Sequence, residues 1–309
     1  VSVISGGEDT EDIALVALSG GDVVIDAGAL GDVTLNGAVS GGTGVSADGF
    51  DLTIAATGSV DSNGDVTFDA LQDLAIDGAV TAAGTARMTS ADAAITATAD
   101  VSGTDVVFDA GTGTVAFNTS QQDNLLGRTT INAAGGITAT VNILADGDLV
   151  VNDVLTVDGN GVRTLTSQTG DIDLNAVVNA DADGEGLTLT AANGTVYAVG
   201  LGTGTRLAAL TVSGQAAELD GDIVAASVDS TGVGLTTVLG THGAADDTVD
   251  IDTVGGTSVN LGNLAGNNLT VSAGTTVDFA DADMSSITVD DAGDVTFGGN
   301  ISTTGEIRV

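Results

Sequence analysis

The sequence has 309 residues and contains no cysteine, no proline, no tryptophan and no lysine. The lack of cysteine excludes disulfides, thiolate metal centres and a cysteine nucleophile. Aromatic residues make up 2% of the chain, as six Phe and one Tyr. The wide core that large aromatic rings usually fill is therefore excluded. Basic residues number 5 against 43 acidic ones, giving a formal charge of −38. All of the basic residues are arginines: Arg87, Arg128, Arg163, Arg206 and Arg308. Nucleic acid is a poor partner for such a chain, because phosphates need cations to meet them. An anionic membrane surface repels it for the same reason. No apolar run reaches the length of a membrane span and no signal peptide is visible, so membrane insertion is not expected. Position 1 is Val, and the chain reads as a mature form or a segment of a longer protein.

What is present is glycine, 46 residues of it, and a hydrophobic fraction of 42%. The apolar residues are mainly Val, Ile, Leu and Ala. Mean hydropathy is +0.35, so the high charge does not come with the low hydrophobicity of a disordered chain. A short step recurs: GDVTLNGAV at 31–39, GDVTFDA at 64–70, TDVVFDA at 104–110, GDLVVND at 147–153, GDIDLNA at 170–176 and GDVTFGG at 293–299. Each step places two apolar residues around one small or polar residue. Val33/Leu35, Leu52/Ile54, Val66/Phe68, Leu74/Ile76, Val106/Phe108 and Val115/Phe117 are examples in the first half. Leu187/Leu189, Leu210/Val212, Leu269/Val271, Val295/Phe297 and Ile307/Val309 are examples in the second. Alternation with period two sends both apolar side chains to one face of a strand. The intervening Thr34, Thr53, Thr67, Thr270 and Thr296 should face out.

Turn residues separate the steps, and two steps take about 20 residues. That spacing predicts an all-β fold, a parallel β-helix solenoid of about 15 coils. It is expected to run as one continuous domain over residues 1–309. A β-sandwich also has many short strands, but it uses longer strands, larger hydrophobes and some proline. The stretches 119–127 and 239–247 break the rhythm and are expected to project as loops. IALVALSGG at 13–21 is the nearest approach to a helix, and it is short.

The steps GDVTLNGAV and GDVTFDA resemble the repeats of filamentous-haemagglutinin-like proteins and other giant bacterial β-helix adhesins. RLAALTVSGQAAELDGDIVAASV at 206–228 is similar to that group too, with its Leu-x-x-Leu-Thr-Val step. The resemblance covers most of the chain and implies a right-handed β-helix exported to the cell surface or beyond. The secretion domain and membrane-anchoring barrel of such proteins are not in these residues.

The acids offer calcium ligands, since Asp-rich turns supply hard oxygens. DSNGD at 61–65 gives Asp61, Asn63 and Asp65. NADADGEG at 179–186 gives Asn179, Asp181, Asp183 and Glu185. DADM at 281–284 adds Asp281 and Asp283. The segment from 179 opens like an EF-hand loop, but Thr190 holds the twelfth position, where a bidentate Glu belongs. The competing reading is that these are solvated turns.

Catalysis is not expected. A lyase acting on acidic sugars needs cations, and the arginines are scattered. A hydrolase needs two carboxylates at a set separation, a condition that so many acids meet by chance. Tyr197 is the one Tyr available to stack a sugar. His242, the single histidine, could be grouped with Asp246 or Asp247, but it reads as a loop residue. The expected function is structural: end-to-end self-association into an extracellular filament, or an adhesive surface fibre. A monomeric adhesin stalk and a cation-binding surface-layer component are the alternatives. Polysaccharide or a cell surface is the expected outside partner, no cofactor is required, and Ca2+ is the candidate ion.

Overall fold

The computed structural model describes residues 1–5, 11–118, 127–182, 184–219, 225, 227–232, 235–238, 248–253, 259–261, 264–272, 276–279, 282–290 and 293–309. The fold is all-β, a parallel β-solenoid. Among the described residues there is no helix. The run at 13–21 is strand on both sides of a corner, Ile13–Leu15 and Leu18–Asp26. Contacts divide the chain into two compact units, one of residues 1–147 with 151–153, the other of 148–150 with 154–309.

In the first unit each coil lays down strands on three faces. The first face is a column of three-residue strands. Ile13 pairs with Val33, Val33 with Leu52, Leu52 with Leu74, Leu74 with Ile95, Ile95 with Val115 and Val115 with Ile137. The second face stacks residues 22–26, residues 44–49, Asp65–Ala70, Thr85–Ser90, Asp105–Asp109 and Arg128–Asn132. The third stacks residues 18–20, residues 38–41, Ser59–Ser62, Ala79–Ala82 and Val101–Ser102.

The alternating pairs do face inward. Val33, Leu35, Leu52, Ile54, Val66, Phe68, Leu74 and Ile76 are all buried. Thr34, Thr53 and Thr67 between them are half-exposed. The third face adds one buried Val per coil, Val39, Val60, Val80 and Val101, with Ala82 buried beside Val80. There Val sits on Val, coil after coil. The second face is less uniform, since Ala47, Phe68, Met88, Phe108 and Ile131 follow one another in register. The interior absorbs those changes of size through neighbouring faces. Phe108 meets Phe117 edge to face with ring centroids 5.2 Å apart, a favoured aromatic geometry.

Corners are tight, and glycine makes them so. A Cβ on Gly37 would lie 1.4 Å from the Val16 carbonyl oxygen of the coil before it. Inside other corners, buried hydroxyls close the turn. Ser62 Oγ donates to the Asp65 carbonyl at 3.1 Å and accepts from the Gly64 N–H at 3.1 Å. Ser90 Oγ donates to the Gln72 carbonyl at 2.5 Å and accepts from the Ala93 N–H.

In the second unit one ladder runs Val162–Ser167, residues 186–191, residues 209–214, Ser227–Gly232 and Thr248–Thr253. Another starts at Ile172–Leu174 and passes through residues 196–198 and 217–219. It continues at Thr276–Phe279, which pairs with Asp294–Phe297. Leu187, Leu189, Leu210, Val212, Leu269 and Val271 are buried as their alternation requires. The pairs Val295/Phe297 and Ile307/Val309 depart from expectation. Phe297 is 40% exposed and stacks on Phe279 at 5.0 Å, and Ile307 and Val309 are exposed.

The described coils amount to about 11 turns, fewer than the roughly 15 expected from a 20-residue coil. The coil is longer than that in many places. Paired positions lie 22 residues apart at Leu52 and Leu74 and at Val115 and Ile137 in the first unit, and 23 or 24 apart at Leu155 and Val178 and at Ile172 and Val196 in the second. The expected loop at 239–247, and 119–126 of the expected loop at 119–127, lie outside the described residues.

Candidate functional site

The recurring Gly-Asp step resolves into a device that joins one coil to the next. At the corner before the first face, the Asp32 N–H donates to Asp12 Oδ1 at 3.0 Å. The Asp51 N–H donates to Asp32 Oδ1 at 3.2 Å, and the Asp73 N–H to Asp51 Oδ1 at 3.0 Å. The run ends where the Ala94 N–H donates to Asp73 Oδ1 at 3.0 Å, because Ala94 has no carboxylate to pass on. The same corner residues also accept through their carbonyls: Val33 N–H reaches Asp51 O and Leu52 N–H reaches Asp73 O. Each corner is therefore held twice by the coil before it. The carboxylate supplies an acceptor where the turning backbone offers none, and a charged acceptor strengthens the bond.

Other copies of the step do the same elsewhere. Asp65 Oδ1 accepts from the Thr85 N–H at 2.8 Å. In the second unit Asp148 Oδ1 accepts from the Asp171 N–H at 3.0 Å, and Asp171 Oδ1 from the Thr195 N–H at 2.7 Å. In TDVVFDA the acid is paired with a cation instead: Asp105 Oδ1 lies 2.9 Å from Arg128 Nε. Arg87 and Asp109 form a second pair between coils at 3.4 Å. Both pairs are largely exposed, which limits each to a small contribution.

Acids also form a row across the second face. Asp26, Asp48 and Asp69 share one register, with neighbours about 4.8 Å apart. Asp48, in the middle, loses hydration to its neighbours. That loss, then the charge of Asp69, then that of Asp26, hold its carboxyl above the ordinary 3.8. Asp173 is raised in the same direction, by burial first and then by Asp171 and Asp148. Further along the row Asn132 replaces acid, and Asn152 Nδ2 donates to Asn132 Oδ1 at 2.7 Å. The amides stack with a bond where carboxylates stack with a repulsion.

The calcium candidates are placed as follows. Asp61 is exposed on the third face, in register with Ser40 and Thr81. Asn63 is at the next corner, where its N–H donates to Gly41 O. Asp65 opens the second face and receives Thr85 as described. These three side chains belong to two faces and the corner between them. Asn179 Oδ1 accepts from the Gly204 N–H at 2.8 Å. Asp181 is exposed. Glu185 is buried at 4% exposure, and its Oε2 accepts from the Ala182 N–H at 2.8 Å, closing its own turn. Asp183, Asp281, His242, Asp246 and Asp247 lie outside the described residues, as does the side chain of Asp283. Among the described residues no group of three or more His, Cys, Asp or Glu side chains gathers to hold a metal ion.

No family model, curated protein or solved structure matches this chain. A cavity of about 30 Å³ lies among Val101, Phe108, Phe117 and Ile143, room for a single water. Tyr197 stands at the outer surface between Asp173 and Glu218 in register. Two features escape the sequence. The third face carries one inward Val per coil, which gives no alternation to read. The capping role of the corner Asp appears only when the next coil is laid beside it.

Proposed function

We propose that this chain is a structural, non-enzymatic β-solenoid of the cell surface or extracellular space. It assembles end to end into a filament or forms an adhesive surface fibre. The observation that carries this reading is the match between successive coils. Successive coils offer one another inner apolar pairs in one strand register, and Asp12, Asp32, Asp51 and Asp73 in turn offer the same corner acceptor. A ladder of that kind extends by adding more of itself, whether from the same chain or from another copy. Phe297, Ile307 and Val309 alternate as inner pairs do and are 40%, 44% and 71% exposed. A further coil stacked on them would bury them. If the contact is heterologous and does not close, repetition makes a fibre.

The likeness of the repeats to filamentous-haemagglutinin-like adhesins supports the surface location and an outside partner such as polysaccharide. The aspartate rows favour a second reading, a cation-binding surface-layer component, with Ca2+ as the ion. Electron microscopy of the native chain tests the first: fibres are the expected outcome, and discrete single particles at all concentrations would overturn the filament. Chelator treatment tests the second, which fails if assembly and melting temperature are unchanged.

A further inference from the structure

The chain has four Asn-Gly pairs, at 36–37, 63–64, 160–161 and 193–194. The dipeptide is chemically the same each time, but its surroundings are not. In three of them the glycine is wedged against a neighbouring coil. An ideal Cβ would lie 1.4 Å from Val16 O at Gly37, 1.8 Å from Thr43 O at Gly64 and 2.1 Å from Gly170 O at Gly194. Hydrogen bonds hold these pairs as well. The Asn36 N–H donates to Leu15 O at 2.7 Å. The Gly64 N–H donates to Ser62 Oγ at 3.1 Å. Asn193 Nδ2 donates to Gln168 O at 2.7 Å.

Asn160 shares its exposure with the other three but not the crowding of the glycine that follows. It is exposed, with φ at 49°, and Gly161 follows with φ at 115°. A Cβ on Gly161 would meet nothing within 4 Å. The turn is latched by Arg163, whose Nε donates to Asp158 O at 2.7 Å and whose Nη2 donates to Gly159 O. Arg163 Nη1 also donates to Val162 O at 3.3 Å, and Gly161 O accepts from the Gly186 N–H at 3.0 Å. These bonds fall on either side of the Asn160–Gly161 peptide, and no neighbouring coil crowds Gly161.

We propose that Asn160 is a site of spontaneous covalent modification, converted through a cyclic imide to aspartyl and isoaspartyl products. The Gly161 amide nitrogen, its proton taken by solvent hydroxide, attacks the Asn160 side-chain carbonyl carbon. A C–N bond forms to that nitrogen, the bond to Nδ2 breaks, and ammonia leaves with a proton from water. Water then opens the ring at either carbonyl. Opening at one restores a normal main chain with Asp at 160, and opening at the other routes the main chain through the side-chain carbon. No oxidant or reductant takes part. Either product adds a carboxylate beside Arg163, and the isoaspartyl form lengthens the latched turn by one methylene. The other three pairs must first open locally to rotate, and that opening slows them.

The test is peptide mapping by mass spectrometry of the native protein after timed incubation at mildly alkaline pH. Isoaspartate is scored with an isoaspartyl methyltransferase. Conversion at Asn160 is expected to exceed that at Asn36, Asn63 and Asn193 by about tenfold or more. In strong denaturant the four rates should converge. Asn160→Gln should remove the early ammonia release. Equal native rates at the four sites, or no product at Asn160, would overturn the proposal. Mapping the unsubstituted chain decides the matter even if the variant does not fold.

Discussion

Half-exposed Asp51 receives the Asp73 N–H at 3.0 Å on its carboxylate while its own N–H is received by Asp32. Removing that acceptor leaves a corner N–H to water. Asp51→Ala should cost about 1 kcal/mol, the usual worth of such a cap. Asp51→Asn keeps an acceptor oxygen and should cost less than about half of that. Urea denaturation of both variants checks the difference. Asp48 obeys the opposite logic. Its folded-state pKa is raised above 3.8, so the folded chain holds that proton more tightly than the unfolded chain does. Stability is then lost as pH rises through the window just above 3.8, and the charge is a cost at neutral pH. Asp48→Asn should raise the melting temperature at pH 7. The gain should shrink as pH falls toward 3.8, and a gain independent of pH would refute the electrostatic origin.

At the scale of the strand and its corner, apolar pairs decide direction and glycines decide spacing. Gly64 is pressed against Thr43 O, where a Cβ would lie at 1.8 Å, whereas Gly21 has nothing within 4 Å. Gly64→Ala should therefore destabilise by about 2 kcal/mol or more, and Gly21→Ala should stay within about 0.5 kcal/mol of the parent. Thermal melts of the two variants separate them. The pairs such as Val33/Leu35 and Leu52/Ile54 were legible in the sequence because alternation is a local pattern. The Val39, Val60, Val80 and Val101 column was not, because one apolar residue in a short strand has no period. Gly64 and Gly21 are also indistinguishable on paper. Their difference is the distance to another coil.

For the molecule as a whole the dominant quantity is the charge of −38. Rows such as Asp26, Asp48 and Asp69 put like charges side by side, so salt should help folding. Raising NaCl from about 0.01 M to about 0.1 M shortens the screening length from roughly 30 Å to roughly 10 Å. The melting temperature should climb over that range. On the filament reading CaCl2 at matched ionic strength should give a similar rise without saturation, since among the described residues no three acids gather around one point. A saturable additional rise with Ca2+ would instead mark a defined site.

By itself the sequence determined the all-β class, the inward pairs and the outward threonines, since period-two alternation and turn residues act over a few neighbouring positions. It also determined the excess of acid and the exclusion of disulfides. Only the tertiary structure decided what the acids do. Whether Asp32 repels, binds an ion or caps a coil depends on what lies one coil away, and that neighbour is about 20 residues distant in sequence. The number of turns depended on it too, because coil length varies with corners that no local pattern reports. The same holds for Asn160, whose Asn-Gly pair reads like three others until stacking crowds the glycines of those three and leaves Gly161 uncrowded.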